Sequence, residues 1–336
     1  MVANRGLSRR GRPGVDTVPL EVAMLLLLLA CATAPTDKPE SDDSAAVSDD
    51  SGAPDDTGTP ASTRSAGCGL PTSLPPGGLQ QTVDAGVAGD GERGYWLSLP
   101  EGYDPEQAYA LVLGYPGTNW LGEDIAPYLD LEQHSAGDTI FAYPDPLWRD
   151  FEGWGNYGGW LLGPHANPAQ GDQDLVFTAA LLDRLEAELC IDTDRIHVTG
   201  HSWGGDMAAV VGCFLGDRVA KTAPVAANRP YWFEPAGGGD FDCVGSAGVW
   251  TFFGEDDTHF TWQDYPGQYG EEQDAFWATE HACAEEVDTL DHVGLGDCIA
   301  HTGCAAETRY CLYPPDSGHQ RPDAFPAAVM RWFAQF

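Results

Sequence analysis

Gly200-His201-Ser202-Trp203-Gly204-Gly205 lies between residues 195–199, which read as a buried strand, and residues 206–215, which read as a helix. The order strand, G-x-S-x-G, helix decides the fold. In that setting the flanking glycines let the backbone reverse within a few residues, so the serine hydroxyl projects above the end of a parallel sheet. A stray G-x-S-x-G says little. With both flanks correct, it marks Ser202 as a candidate nucleophile.

Outward from this turn, strand-like and helix-like stretches alternate from Gly94 onward. Upstream, residues 95–99, 110–113 and 139–143 read as strands, and 172–190 carry Leu175, Ala179, Leu182 and Leu185 at helical spacing. Downstream, 248–253 and 308–313 read as strands and 322–336 as a closing helix. The pattern predicts one α/β catalytic domain, a mostly parallel sheet flanked by helices.

A serine hydroxyl attacks only when a base takes its proton, and the base needs an acid to hold its tautomer and stabilise its charge. On this fold the acid follows the serine and the histidine follows the acid. The 248–253 strand runs into Gly254-Glu255-Asp256-Asp257, and Asp257 is the predicted acid, with Asp256 and Glu255 as adjacent alternatives. His319 follows the last strand and is the predicted base. His201 sits on the tight turn and is expected to pack or line the pocket. His259, His281, His292 and His301 read as loop or helix residues with no strand before them, while His134, His165 and His197 precede the serine. For the oxyanion, the expected donors are the N–H of Trp203 and an amide from the loop at residues 115–118, with Thr118 favoured.

The rest of the chain concerns export. Arg5, Arg9, Arg10 and Arg12 precede an apolar run at residues 22–30, too short to span a bilayer, so residues 1–30 read as a signal peptide. Leu28-Leu29-Ala30-Cys31 reads as a lipobox, with Cys31 the acylated residue and the lipid the only membrane attachment. Residues 31–67 form an acidic Ser/Thr/Pro/Asp-rich tether that cannot bury a core, and 68–336 form the catalytic domain. Setting Cys31 aside leaves eight cysteines, an even number that predicts disulfides in an extracytoplasmic compartment. The zinc alternative uses Cys298, His301, Cys304 and Cys311. The net charge of −36, from 52 acids against 16 bases, argues against a nucleic-acid partner. It fits either a highly soluble surface or one adapted to a salty medium.

These pieces resemble the secreted polyhydroxybutyrate depolymerase-like and feruloyl esterase group of α/β-hydrolases. The likeness rests on Cys68-Gly69, Leu99-Pro100-Glu101-Gly102-Tyr103, Tyr143-Pro144-Asp145, Asp174-Leu175-Val176-Phe177, Cys190-Ile191-Asp192, the serine turn, the 254–257 loop and Gly318-His319. It implies hydrolysis of an ester substrate, in a polymer or of a small acid on a polysaccharide, with no metal and no organic cofactor. It also implies a Cys190–Cys213 bridge. Where that group carries His-Gly in the oxyanion loop, this chain has Pro116-Gly117, and proline has no N–H to donate. Residues 148–160 hold Trp148, Phe151, Trp154, Tyr157 and Trp160 among glycines, either a ligand-facing loop or a local satellite core. A serine peptidase or lipase would share the triad, and a non-catalytic surface-binding lipoprotein would share the scaffold.

Overall fold

Side chains that alternate along the central strands build separate cores on the two sides of one sheet. The computed structural model describes residues 63–233, 242–292 and 294–335. The residues read as a signal peptide, Cys31 and nearly all of the stretch read as a tether lie outside the described residues.

In chain order the strands are β1 (Gly77–Asp84), β2 (Glu92–Leu99), β3 (Tyr109–Tyr115), β4 (Thr139–Pro144), β5 (Leu147–Phe151), β6 (Gly155–Gly159), β7 (Ile191–His201), β8 (Lys221–Val225), β9 (Gly248–Gly254), β10 (Val287–Leu290), β11 (Asp297–His301) and β12 (Thr308–Tyr313). The helices are α1 (Gly122–Leu129), α2 (Gln173–Glu188), α3 (Trp203–Phe214), α4 (Gln268–Glu280) and α5 (Phe325–Phe333). Ten strands form one sheet in the order β1-β2-β4-β3-β7-β8-β9-β12-β11-β10, and β5 pairs with β6 in a separate hairpin. The run β4-β3-β7-β8-β9-β12 is parallel throughout, while both edges are antiparallel.

Leu111 and Leu113 of β3, with Ile196 and Val198 of β7, pack under Leu181, Leu182 and Leu185 of α2 and Met207 and Val211 of α3. Val112, Phe141, Val225 and Phe252 face the other way, onto Ile125 and Leu129 of α1 and Val329 and Phe333 of α5. Each such side chain, fully buried, contributes roughly 1.5–3 kcal/mol. Both layers hold the sheet rigid, so residues at its carboxyl edge keep fixed positions.

The cysteines pair as Cys68–Cys190, Cys213–Cys243, Cys283–Cys304 and Cys298–Cys311. The expected Cys190–Cys213 bridge is therefore corrected. Cys190 precedes β7, where the incoming chain pairs alongside it: Ser65 N–H donates to Ile191 O and Gly67 N–H to Glu186 O. Cys213 lies at the far end of α3, beside the segment whose Val244 N–H donates to Cys213 O. The two sulfurs thus face different neighbours. Cys298, Cys304 and Cys311, weighed as zinc ligands, are all disulfide-bonded. Disulfides of this number suit an oxidising compartment.

Candidate active site

Ser202 sits where β7 ends and α3 begins, with φ 59° and ψ −126°. A positive φ is costly for a side chain with a Cβ, and such strain gathers at functional turns. The turn closes only with glycine beside it: a Cβ on Gly200 would stand 2.1 Å from Gly204 O, and one on Gly204 would stand 2.0 Å from Tyr115 O. Ser202 N–H donates to Val225 O at 2.9 Å, tying the turn to β8.

The loop after β9 brings in the acid. Asp257 N–H donates to Gly254 O, and its carboxylate is buried. One oxygen, Oδ1, accepts the backbone N–H of His259 at 3.0 Å. The other, Oδ2, accepts His319 Nδ1–H at 2.7 Å. Asp256, the neighbouring alternative, leaves a buried carboxylate oxygen with no hydrogen-bond partner and does not reach His319. After β12, a short turn through Pro315–Ser317 and Gly318 (φ 53°) swings His319 back over the sheet edge. Its Nε2 accepts the Ser202 hydroxyl at 2.9 Å. The three predicted residues therefore form one continuous hydrogen-bonded chain.

Two further histidines surround His319: His201, expected to pack or line the pocket, is buried beside it, whereas His259 was read only as a loop or helix residue. His201 donates from Nε2 to the His319 carbonyl at 2.7 Å. Burial, then the nearby His319, drives its pKa down to about 3, so it stays neutral and acts as a fixed donor. His259 stacks its ring on His319 with centroids 4.3 Å apart and planes within 17°. Desolvation, then His319, lowers its pKa below the ordinary range. A usable signal was its place two residues after the predicted acid. The expectation for His292 and His301 is corrected, since β10 precedes His292 and His301 is itself the last residue of β11. Neither approaches the site: His301 Nε2 bonds Asp274, and His292 packs on Trp250.

On the other side of Ser202, Trp203 begins α3, where a first-turn N–H has no helical partner. The facing loop approaches closely, and a Cβ on Gly117 would lie 3.2 Å from Ser202 Cβ. Pro116 O accepts Trp160 Nε1–H at 2.8 Å, and Asn119 N–H is taken by Gly158 O at 2.8 Å. Gly117 and half-buried Thr118 remain the amides of this loop nearest in sequence to that contact. The aromatic stretch divides between its two readings: Phe151 and Trp160 are buried, whereas Trp148 and Trp154 are exposed. Among the described residues, no group of three or more His, Cys, Asp or Glu side chains is arranged to hold a metal ion.

No protein-family profile matches the chain. A probable feruloyl esterase C from Aspergillus clavatus is 35% identical over 159 residues, covering 46% of this chain and 49% of the relative. A feruloyl esterase C from Emericella nidulans is 32% identical over 142 residues, covering 40% and 47%. The chain spans about half the length of the curated relatives it matches. In three dimensions, an acetyl xylan esterase from Aspergillus awamori superposes with a TM-score of 0.55 at 17% identity, over 76% of this chain and 99% of that one.

Proposed function

We propose that this chain, feruloyl esterase-like in sequence and α/β-hydrolase in fold, is a serine carboxylic-ester hydrolase acting outside the cytoplasm on esters carried by a polysaccharide. The observation that carries the reading is the pair of hydrogen bonds linking Asp257, His319 and a strained Ser202. A chain without turnover has no need to hold all three in register at the sheet edge.

In this mechanism His319 Nε2 takes the Ser202 proton as Oγ attacks the ester carbon, and Asp257 stabilises the resulting imidazolium. The carbonyl oxygen, now negative, is held by the N–H of Trp203 and by a second amide at Thr118. The tetrahedral adduct collapses with the C–O bond to the alcohol breaking, and His319 gives its proton to the departing oxygen. Water then repeats the attack on the acyl-serine, with His319 taking and returning the proton, and the free acid leaves. Pro116 withholds one donor from the loop, which makes the Thr118 amide the more important of those left.

The likeness to feruloyl esterases supports an aromatic or acetyl ester on a sugar, and a polyester is the second substrate class from the sequence resemblance. The proposal also assigns residues 1–30 to a signal peptide, Cys31 to lipidation, 31–67 to a tether and 68–336 to the catalytic domain. Incorporation of labelled palmitate that disappears in Cys31→Ala tests the anchor. For the chemistry, release of product from methyl ferulate, p-nitrophenyl acetate and p-nitrophenyl butyrate is compared with that of Ser202→Ala. The variant should lose about 10,000-fold or more in kcat while unfolding at the wild-type temperature. Turnover near wild type in Ser202→Ala would overturn the mechanism.

A further inference from the structure

A cleft of about 740 Å³ lies beside the Ser202 site, within the size range of small-ligand sites. Trp154, Asn167, Asn228, Trp262, Asp264 and Tyr269 contribute to its walls. Trp154 packs edge-on against Trp203 at 5.6 Å, and Tyr269 packs on Phe260, which packs on His319 at 5.5 Å. The cleft is therefore flanked by the serine side of the site at one wall and the histidine side at the other.

Two of its rings are unusual for a folded surface: Trp154 is 45% exposed and Trp262 is 66% exposed. An indole left in water has apolar faces with nothing against them. Around these faces stand the amides of Asn167, Asn228 and Gln268, the carboxylate of Asp264, the guanidinium of Arg229 and the imidazole of His165 rather than aliphatic groups. A pyranose has the complementary make-up, with apolar C–H faces and a rim of hydroxyls that donate and accept. A planar aromatic acid would call for a narrower, drier slot. In the cleft the charges of Arg229 and Asp264 oppose each other, and the chain's net charge of −36 adds repulsion against a polyanionic polymer, which favours an uncharged sugar.

We propose that this cleft is a glycan-binding subsite, in which Trp154 and Trp262 hold a neutral oligosaccharide whose ester is thereby presented to Ser202. It rests on the ester-hydrolase reading only for what happens to the bound sugar. The test uses the full chain carrying Ser202→Ala, titrated calorimetrically with xylohexaose and, separately, with ferulic acid. Xylohexaose should bind, and adding Trp262→Ala or Trp154→Ala should weaken it about tenfold or more. Trp262→Phe, which keeps a ring, should retain most of the affinity and shows that the loss is not a folding defect. Trp148→Ala, exposed but outside the cleft, should leave binding unchanged. Xylohexaose that fails to bind, or binds equally well without Trp154 and Trp262, overturns the subsite. Loss of ferulic acid binding alone in those variants also overturns it, making the cleft an acyl pocket. Sugar binding by a chain that hydrolyses no ester would overturn the esterase reading and leave the subsite standing.

Discussion

His197 and His201 lie in the same strand, β7, and both are nearly sealed from water. Burial lowers each to about 3; positive neighbours add to the effect, Lys221 and Arg195 at His197 and His319 at His201. The unfolded chain binds these protons near pH 6.5 and the folded chain does not. Their contribution to stability is thus fully present above about pH 6.5 and is lost progressively as pH falls toward 3. His197 stacks flat on Phe333 at 4.6 Å, so phenylalanine fits its place. His197→Phe should gain on the wild type by roughly 2 kcal/mol between pH 6.5 and pH 5, read from denaturant midpoints at each pH. An unchanged difference across that window would place the ring in water. At the same scale, the meeting of Ser202 and His319 was legible because each follows a clear strand and their order suits the fold. The choice of Asp257 over Asp256 was not, since adjacent residues in a turn differ only in the direction that Asp257 N–H to Gly254 O imposes.

The β5–β6 hairpin that carries Trp154 is held by a buried ionic knot at the start of α2. Asp174, fully buried, accepts Arg93 Nη1–H at 2.8 Å, Arg149 Nη1–H at 2.9 Å and the Leu161 N–H at 2.7 Å. Removing its charge leaves two guanidinium groups short of a partner, one of them without solvent. Asp174→Asn should cost about 3–5 kcal/mol in equilibrium unfolding, more than an exposed ion pair ever returns. A loss under 1 kcal/mol would show that the arginines find other acceptors. This hairpin was read from sequence only as an irregular aromatic loop, because glycines at 153, 155, 158 and 159 hide the alternation of a strand. β8 escaped for a related reason: Pro224 stands inside it, although it is a central strand. Its ladder to β9 is correspondingly sparse, with partners for Lys221, Thr222 and Val225 only. β7, β9 and β12 were legible because their apolar runs end in the loops that carry Ser202, Asp257 and His319. Long α4 was not, since its sequence, QYGEEQDAFWATE, has too few apolar residues to show a stripe.

For the molecule as a whole, 52 acids against 16 bases make self-repulsion a standing cost of compactness. Raising NaCl from 10 to 150 mM shortens the screening length from about 30 to about 8 Å, so the unfolding temperature should rise across that range. Calorimetric scans check this, and a falling transition would mean that attractive ion pairs outweigh the repulsion. The disulfide at Cys68 has a different kind of consequence. The described chain enters at Thr63, pairs through Arg64 with Asp192, and is clamped to Cys190 at the foot of β7. Ser202 follows the other end of that strand, beyond the bulge that β7 makes against β3 between Ile191 and Ile196. Tension applied through the residues before Thr63 therefore enters the domain across a covalent bond, at its heel. A pull from that side is thus borne by the Cys68–Cys190 bond, and the hydrogen bonds between strands are spared.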